Sequence, residues 1–281
     1  MIDVEYPERQ KEWAVFSKRG HGNPAFMLPA AFLLLILMSG TMGFWLFPAN
    51  EDEGTLHIHL ISASEEYESE NSLKETKKAL EEHDEGVKIT ASWGEDAGSD
   101  LPNIELLGEA DLLIVFARRM TLPEDQLNYI TQHIEAEKPV IGIRTSSHAF
   151  QGFLELDARV FGGDYDGHGD DESVDVSFAE DAEEHPIMNG VDAWNRPGKI
   201  YHNPDLGPQT QTLLLGRGLD SDIYEPLAWT NMYGENGRAF YTSMGLPSDF
   251  ENDNFLRMLN NAISWTTGYE LSSFAADGDG P

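Results

Sequence analysis

Asp111-Leu-Leu-Ile-Val-Phe116 carries five apolar residues in succession after a single acidic one. A strand with one wet face alternates polar and apolar side chains. A strand covered on both faces does not, so this run reads as buried in a sheet with helices on either side. Lys138-Pro-Val-Ile-Gly-Ile143 is a second such run, and between the two Pro123 opens a helix with an apolar stripe of Leu127, Ile130 and Ile134. Upstream, Thr55-Leu-His-Ile-His-Leu-Ile61 and Val87-Lys-Ile-Thr-Ala91 read as strands. The helix between them covers about residues 72–83 and sets Lys74, Lys77 and Lys78 against Glu75, Glu81 and Glu82 on its exposed face. Such alternation predicts an α/β three-layer sandwich with a mostly parallel sheet.

The second half has a looser pattern. Residues 162–172 form a Gly/Asp loop, and strands are expected over 173–178, 211–215, 226–230 and 238–242, the last two joined by the turn Tyr233-Gly-Glu-Asn-Gly237. A helix over 250–265 closes the domain with Phe255, Leu259, Ala262 and Ile263 inward. The small, acidic residues 271–281 read as a disordered tail.

Composition narrows the chemistry. The chain of 281 residues has no cysteine, which excludes disulfides, thiolate metal sites and a cysteine nucleophile. Its net charge is −32. Residues 1–49 balance Arg9, Lys11, Lys18 and Arg19 against Asp3, Glu5, Glu8 and Glu12, so the remaining 14 basic and 46 acidic residues carry the whole excess. A surface of that sign repels nucleic acid and anionic lipid headgroups, and no nucleic-acid partner is expected. With 40% hydrophobic residues the chain still buries a proper core.

Residues 25–49 contain no charged side chain and centre on Ala-Ala-Phe-Leu-Leu-Leu-Ile-Leu-Met, long enough to cross a bilayer as a helix. Lys18 and Arg19 precede the run and Glu51-Asp52-Glu53 follow it. The expected order is a cytoplasmic tail over 1–24, a transmembrane anchor over 25–49 and an extracytoplasmic domain over 50–270. A cleaved signal peptide with a small-residue site near Ser39-Gly-Thr-Met-Gly43 is the competing reading; either way the domain is exported.

Ligands of open α/β sheets bind outside the carboxyl ends of the strands. Residues 62–70, 117–121 and 144–150 are the loops expected there. His168, between Gly167 and Gly169, is free to enter a cleft and has the side chain best suited to proton transfer near neutral pH. Two metal patterns stand beside it. Asp164-Tyr-Asp-Gly-His-Gly169 begins like a calcium loop, with Asp175 at its twelfth place, but His168 and Asp171 break the pattern. His57 and His59 share one strand face, as zinc ligands or as a half-buried strand face. No metal or cofactor is assigned from either.

Pro139-Val-Ile-Gly-Ile-Arg-Thr-Ser-Ser-His-Ala-Phe150 resembles the strand-to-elbow segment of the ThuA-like (trehalose utilisation) family. Glu66-Tyr67, Phe161-Gly-Gly-Asp-Tyr-Asp-Gly-His168 and a late stretch follow in the family's order. That stretch contains Ala228-Trp-Thr230, Gly237-Arg238, Tyr241-Thr-Ser-Met-Gly245 and Ile263-Ser-Trp265. The resemblance covers about residues 55–266 and implies a flavodoxin-like, class I glutamine amidotransferase-like fold. Amidotransferases carry a cysteine at the elbow and a histidine after a late strand. Here those places read Gly142-Ile143-Arg144 and Gly245-Leu246, and neither Arg144 nor Leu246 can serve.

The resemblance implies carbohydrate work, with a saccharide or oxidised (3-keto) saccharide as ligand and sugar-oxidising enzymes as partners. His168, Glu66 and Arg144 are then expected as the catalytic set, and Arg119, His148 and Tyr67 as the binding set. A non-catalytic binding or assembly module that has lost the triad of its fold is the alternative.

Overall fold

The computed structural model describes residues 54–272, apart from 171, 219 and 220. The anchor expected over 25–49 and the tail beyond 272 lie outside the described residues, within which no helix is long and apolar enough to cross a membrane.

The strands are β1 (Leu56–Ala63), β2 (Val87–Trp93), β3 (Leu112–Ala117), β4 (Val140–Ile143), β5 (Glu172–Phe178), β6 (Trp194–Gly198), β7 (Thr210–Gly218), β8 (Glu225–Tyr233) and β9 (Gly237–Thr242). They form one sheet in the order β2-β1-β3-β4-β9-β8-β7-β5-β6. From β2 to β9 all neighbours are parallel, and from β9 to β6 all are antiparallel. A mostly parallel sheet was expected, but the pairings divide evenly. Parallel neighbours need long crossovers, which helices supply only in the first half, whereas β8 returns directly to β9 through a tight turn. β6 sits at the outer edge, where Pro197 can be tolerated although it cannot donate to a ladder.

Three helices cover the sheet: α1 (Ser69–His83), α2 (Glu124–Glu135) and α3 (Asp253–Thr267). On one face α1 packs Leu73 and Leu80 against Leu56, Ile58 and Leu60 of β1, and α3 packs Phe255, Met258 and Leu259 over β4 and β9 in the same core. α2 packs Ile130 and Ile134 on the other face with Ile61, Leu113 and Val115. β3 is buried along its whole length, as its unbroken apolar run requires. α3 starts where the Asn252 side chain accepts from the backbone N–H groups of Asn254 and Phe255, and stops at Gly268 with φ 76°.

The α2 side of β1 also holds a polar group of side chains. His59 is fully buried, with Nδ1 2.8 Å from Thr90 Oγ1 and Nε2 3.0 Å from Ser92 Oγ on β2. His57 Nε2 reaches the same Thr90 hydroxyl at 2.8 Å, so the hydroxyls of the neighbouring strand account for both rings. His133 of α2 bonds the Pro139 carbonyl at 3.0 Å. Burial holds His59 and His133 neutral, each with its pKa lowered to about 4.

A histidine that titrates lower in the folded than in the unfolded chain stabilises fully above its unfolded value, near 6.5, and loses that contribution as pH falls toward 4. Replacing His59 with Asn removes one such group. The difference in unfolding free energy between wild type and His59→Asn is expected to shrink by roughly 2–3 kcal/mol between pH 7 and pH 4. Denaturant melts at a series of pH values measure it; a difference independent of pH would show that His59 titrates alike in both states.

Candidate functional site

The parallel half of the sheet brings four carboxyl ends to one edge. β1 runs into Ser64 and the turn Glu65–Tyr67, β3 into Arg118 and Arg119, β4 into Arg144, and β9 into Ser243. At the end of β4 the backbone reverses sharply, and Arg144 takes φ 50°, a conformation that costs an L-residue on the order of 1 kcal/mol. Two contacts hold it there. The Tyr241 hydroxyl donates to the Arg144 carbonyl at 2.5 Å, and Gly245, at φ 140°, passes so close that an added Cβ would stand 2.7 Å from Ile143 Cγ2.

The elbow turns the Arg144 side chain inward, where it is 1% exposed. Its guanidinium carbon lies 4.1 Å from the Tyr67 ring centroid and 5.0 Å from that of Tyr201. Nη1 donates to the Ser243 carbonyl at 3.0 Å, while buried Nε has no partner. Among the described residues, no carboxylate lies within ion-pair distance of Arg144. Cation–π contact with two desolvated rings, about 2 kcal/mol or more in such settings, offsets part of the cost of burying the charge.

An aromatic row continues outward from Tyr201. Its ring meets Tyr165 at 4.8 Å, Tyr165 stacks on His148 at 4.9 Å, and His168 lies at 6.1 Å from Tyr201. His148 Nδ1 is 3.0 Å from Ser147 Oγ. Burial and then the nearby Arg119 and Arg118 charges lower the His148 pKa to about 4, so the ring is neutral at physiological pH. His168 is exposed, and its Nδ1 lies 2.8 Å from the Gly169 carbonyl. A carbonyl only accepts, so Nδ1 carries the proton and Nε2 is left as an acceptor when the ring is neutral. Burial raises the Tyr165 and Tyr201 hydroxyls above the usual phenol range.

The expected site residues thus separate into a floor and a rim. Arg144, Tyr67 and His148 belong to the floor, and His168 stands at the outer end of the aromatic row. Arg118 pairs with Glu66 at 2.7 Å and Asp96 at 3.2 Å, which places the Glu66 carboxylate in an ion pair at the rim. Arg119 is exposed and makes no ion pair among the described residues. Tyr201 was not foreseen, because it comes from a segment without motif, bridged to the loop of His168. Tyr165 is held by Asp157, whose Oδ2 accepts from the Tyr165 backbone N–H at 3.0 Å. Burial lifts the Asp157 carboxyl to about 6. A cavity of about 380 Å³ lies elsewhere, between α1 and α3, lined by Thr76, Asn189, Arg257 and Asn261, and contains none of these residues.

A second buried cation supports the far side. Arg196 of β6 donates from Nε and Nη2 to Asp249, both at 2.7 Å, and Asp249 Oδ2 also accepts from the backbone N–H groups of Gly245 and Leu246 at 2.8 Å. This pair closes the loop after β9 on which Ser243 and Gly245 stand. Leu246, where a catalytic histidine would be needed for amide transfer, only packs against the core.

The fold and site thus define an α/β domain with a strained elbow that carries a buried arginine. The sequence pattern of the family described as ThuA, trehalose utilisation, matches residues 58–266, and the chain belongs to that family. Among solved structures, a ThuA-like protein from Bacteroides uniformis superposes with TM-score 0.60 at 16% identity, covering 78% of this chain and 95% of that one. A ThuA-like protein from Parabacteroides merdae gives TM-score 0.58 at 16% identity, covering 80% and 94%. At that identity the two establish a common fold. No curated protein matches the chain significantly.

The two buried arginines differ in pairing, which stability can detect. Asp249→Ala strands Arg196 and is expected to cost about 3–5 kcal/mol. Arg144→Met keeps a strained non-glycine residue at the elbow but removes an uncompensated charge, so it is expected to lie within about 1 kcal/mol of wild type or above it. Denaturant unfolding of the two variants checks the contrast; equal losses would mean that Arg144 is compensated in the folded domain.

Proposed function

We propose that this domain binds or acts on a saccharide, or an oxidised (3-keto) saccharide, at the carboxyl edge of its sheet, and that it has no glutaminase activity. One observation carries the reading: a row of aromatic and imidazole rings in mutual contact runs from exposed His168 to buried Arg144. Ring faces suit the apolar faces of sugars, and guanidinium N–H groups suit their oxygens. In the enzymatic form, His168 Nε2 takes the proton from a sugar carbon or hydroxyl, and Arg144 with Arg119 stabilises the negative oxygen that forms. Elimination and isomerisation of a keto sugar begin with such a step, and hydrolysis fits the same groups with water as the proton donor to His168. Glu66 orders the rim through Arg118, and Tyr67 and His148 bound the ligand.

Glutaminase chemistry lacks its groups, since Arg144 and Leu246 occupy the two places where a nucleophile and a base are needed. A non-catalytic binding module is the second reading, favoured by the ion pair that occupies Glu66. We further propose that residues 25–49 anchor the chain in a membrane with the acidic domain outside, where sugar-oxidising enzymes would share its ligands.

Purified full-length chain incubated with disaccharides and their 3-keto derivatives, with products followed by mass spectrometry, tests the reading. Turnover is expected to fall by roughly a hundredfold or more in His168→Ala. Turnover that survives this change removes His168 from the mechanism. Thermal stabilisation by the sugars without turnover, lost in Arg144→Ala, would establish the binding module instead. The absence of both turnover and stabilisation would refute a saccharide site.

A further inference from the structure

The Arg144 guanidinium presents a problem of charge. The chain contains 50 acidic residues, yet among the described residues none pairs with this arginine, which is 1% exposed. The other buried arginine shows what the same protein does when a guanidinium is structural: Arg196 receives a bidentate carboxylate. Burying an ion without its counter-ion costs several kcal/mol, and two tyrosine rings with one carbonyl return only part of that. The Nε edge has neither solvent nor partner. Planar carboxylates bind along such edges with two parallel hydrogen bonds.

The surroundings point the same way. Arg119 stands at the rim with no carboxylate partner among the described residues, in contrast to Arg118 beside it, which has two. Burial is the main cause that keeps His148 neutral, and positive charge from both arginines adds to it. A domain with an excess of 32 negative charges thus leaves Arg119 and Arg144 without a carboxylate partner among the described residues, which a neutral ligand would not require.

We infer that the ligand is an acidic saccharide, a uronate or aldonate, whose carboxylate takes the free edge of Arg144 while Arg119 draws it in. The inference rests on the saccharide reading given above. One negative charge suffices, because among the described residues only one guanidinium is both buried and without a carboxylate. Tyr67 is the movable cover: at 8% exposure it is more open than Tyr201 at 2%, and it sits on a three-residue turn at the sheet edge.

Calorimetric titration of the full-length chain with glucuronate, gluconate, glucose and glucose 6-phosphate tests the inference. Salt is set at about 1 M, where the Debye length of about 3 Å screens the acidic surface from the ligand. Glucuronate or gluconate is expected to bind roughly tenfold or more tighter than glucose. Arg144→Lys, which keeps the charge but loses the planar edge, is expected to remove most of that advantage. Arg119→Gln is expected to weaken the acidic sugars severalfold more than glucose when the titration is repeated at about 0.1 M salt, where an exposed charge still acts over about 10 Å. Glucose binding as tightly as glucuronate overturns the inference and leaves the saccharide reading standing. Tightest binding of the phosphate ester overturns the carboxylate assignment. Failure of every sugar, the 3-keto disaccharides included, overturns both readings together.

Discussion

The turn at Arg144 constrains everything around it. β4 must end abruptly for the chain to fold back toward Phe150, and a left-handed residue with a full side chain accomplishes this only when its surroundings resist relaxation. Three elements supply that resistance: the Tyr241 hydroxyl on the Arg144 carbonyl, the bare Gly245 backbone against Ile143, and the Asp249 carboxylate that closes the loop carrying Gly245. Asp249 is in turn fixed by Arg196 from the outermost strand. The antiparallel half of the sheet thus contributes to the site by bracing the elbow on the parallel half.

Much of the architecture is legible in sequence because burial on two faces leaves an unmistakable mark. The apolar runs of β3 and β4 and the stripe of α2 can hardly be read otherwise, and their boundaries fall within a few residues of those expected. β6 is not legible: Trp194-Asn-Arg-Pro-Gly198 is short, polar and interrupted by proline, and it becomes a strand only because β5 offers it an edge. The balance of parallel and antiparallel pairing is equally hidden, since it depends on which strands meet in space.

The site is half legible. Arg144 and His148 follow from their place after a buried strand, as do Arg118 and Arg119. Tyr201 and Asp249 do not, because what matters about them is contact with Arg144 and Arg196 across 57 and 53 positions of chain rather than local pattern. Glu66 shows the reverse limit. A carboxylate after β1 is visible, but its capture by Arg118 from β3 is a property of the sheet order. Likewise His57 and His59 have the spacing of metal ligands, and only the register of β1 on β2 brings Thr90 and Ser92 to them as partners.

The contrast between the two buried arginines links stability to function. If Arg144 served only to hold the elbow, a hydroxyl or amide could satisfy the Ser243 carbonyl without the expense of an ion in a dry site, and acidic neighbours are abundant enough to neutralise it. The fold instead lavishes its bidentate carboxylate on Arg196, far along the sheet order, and covers Arg144 with rings that carry no charge. A local conflict of this kind is where a sequence gives up stability for a task. The elbow thus holds a permanent positive charge between the rings of Tyr67 and Tyr201, and it is that charge, more than the turn itself, that the sequence leaves without a carboxylate among the described residues.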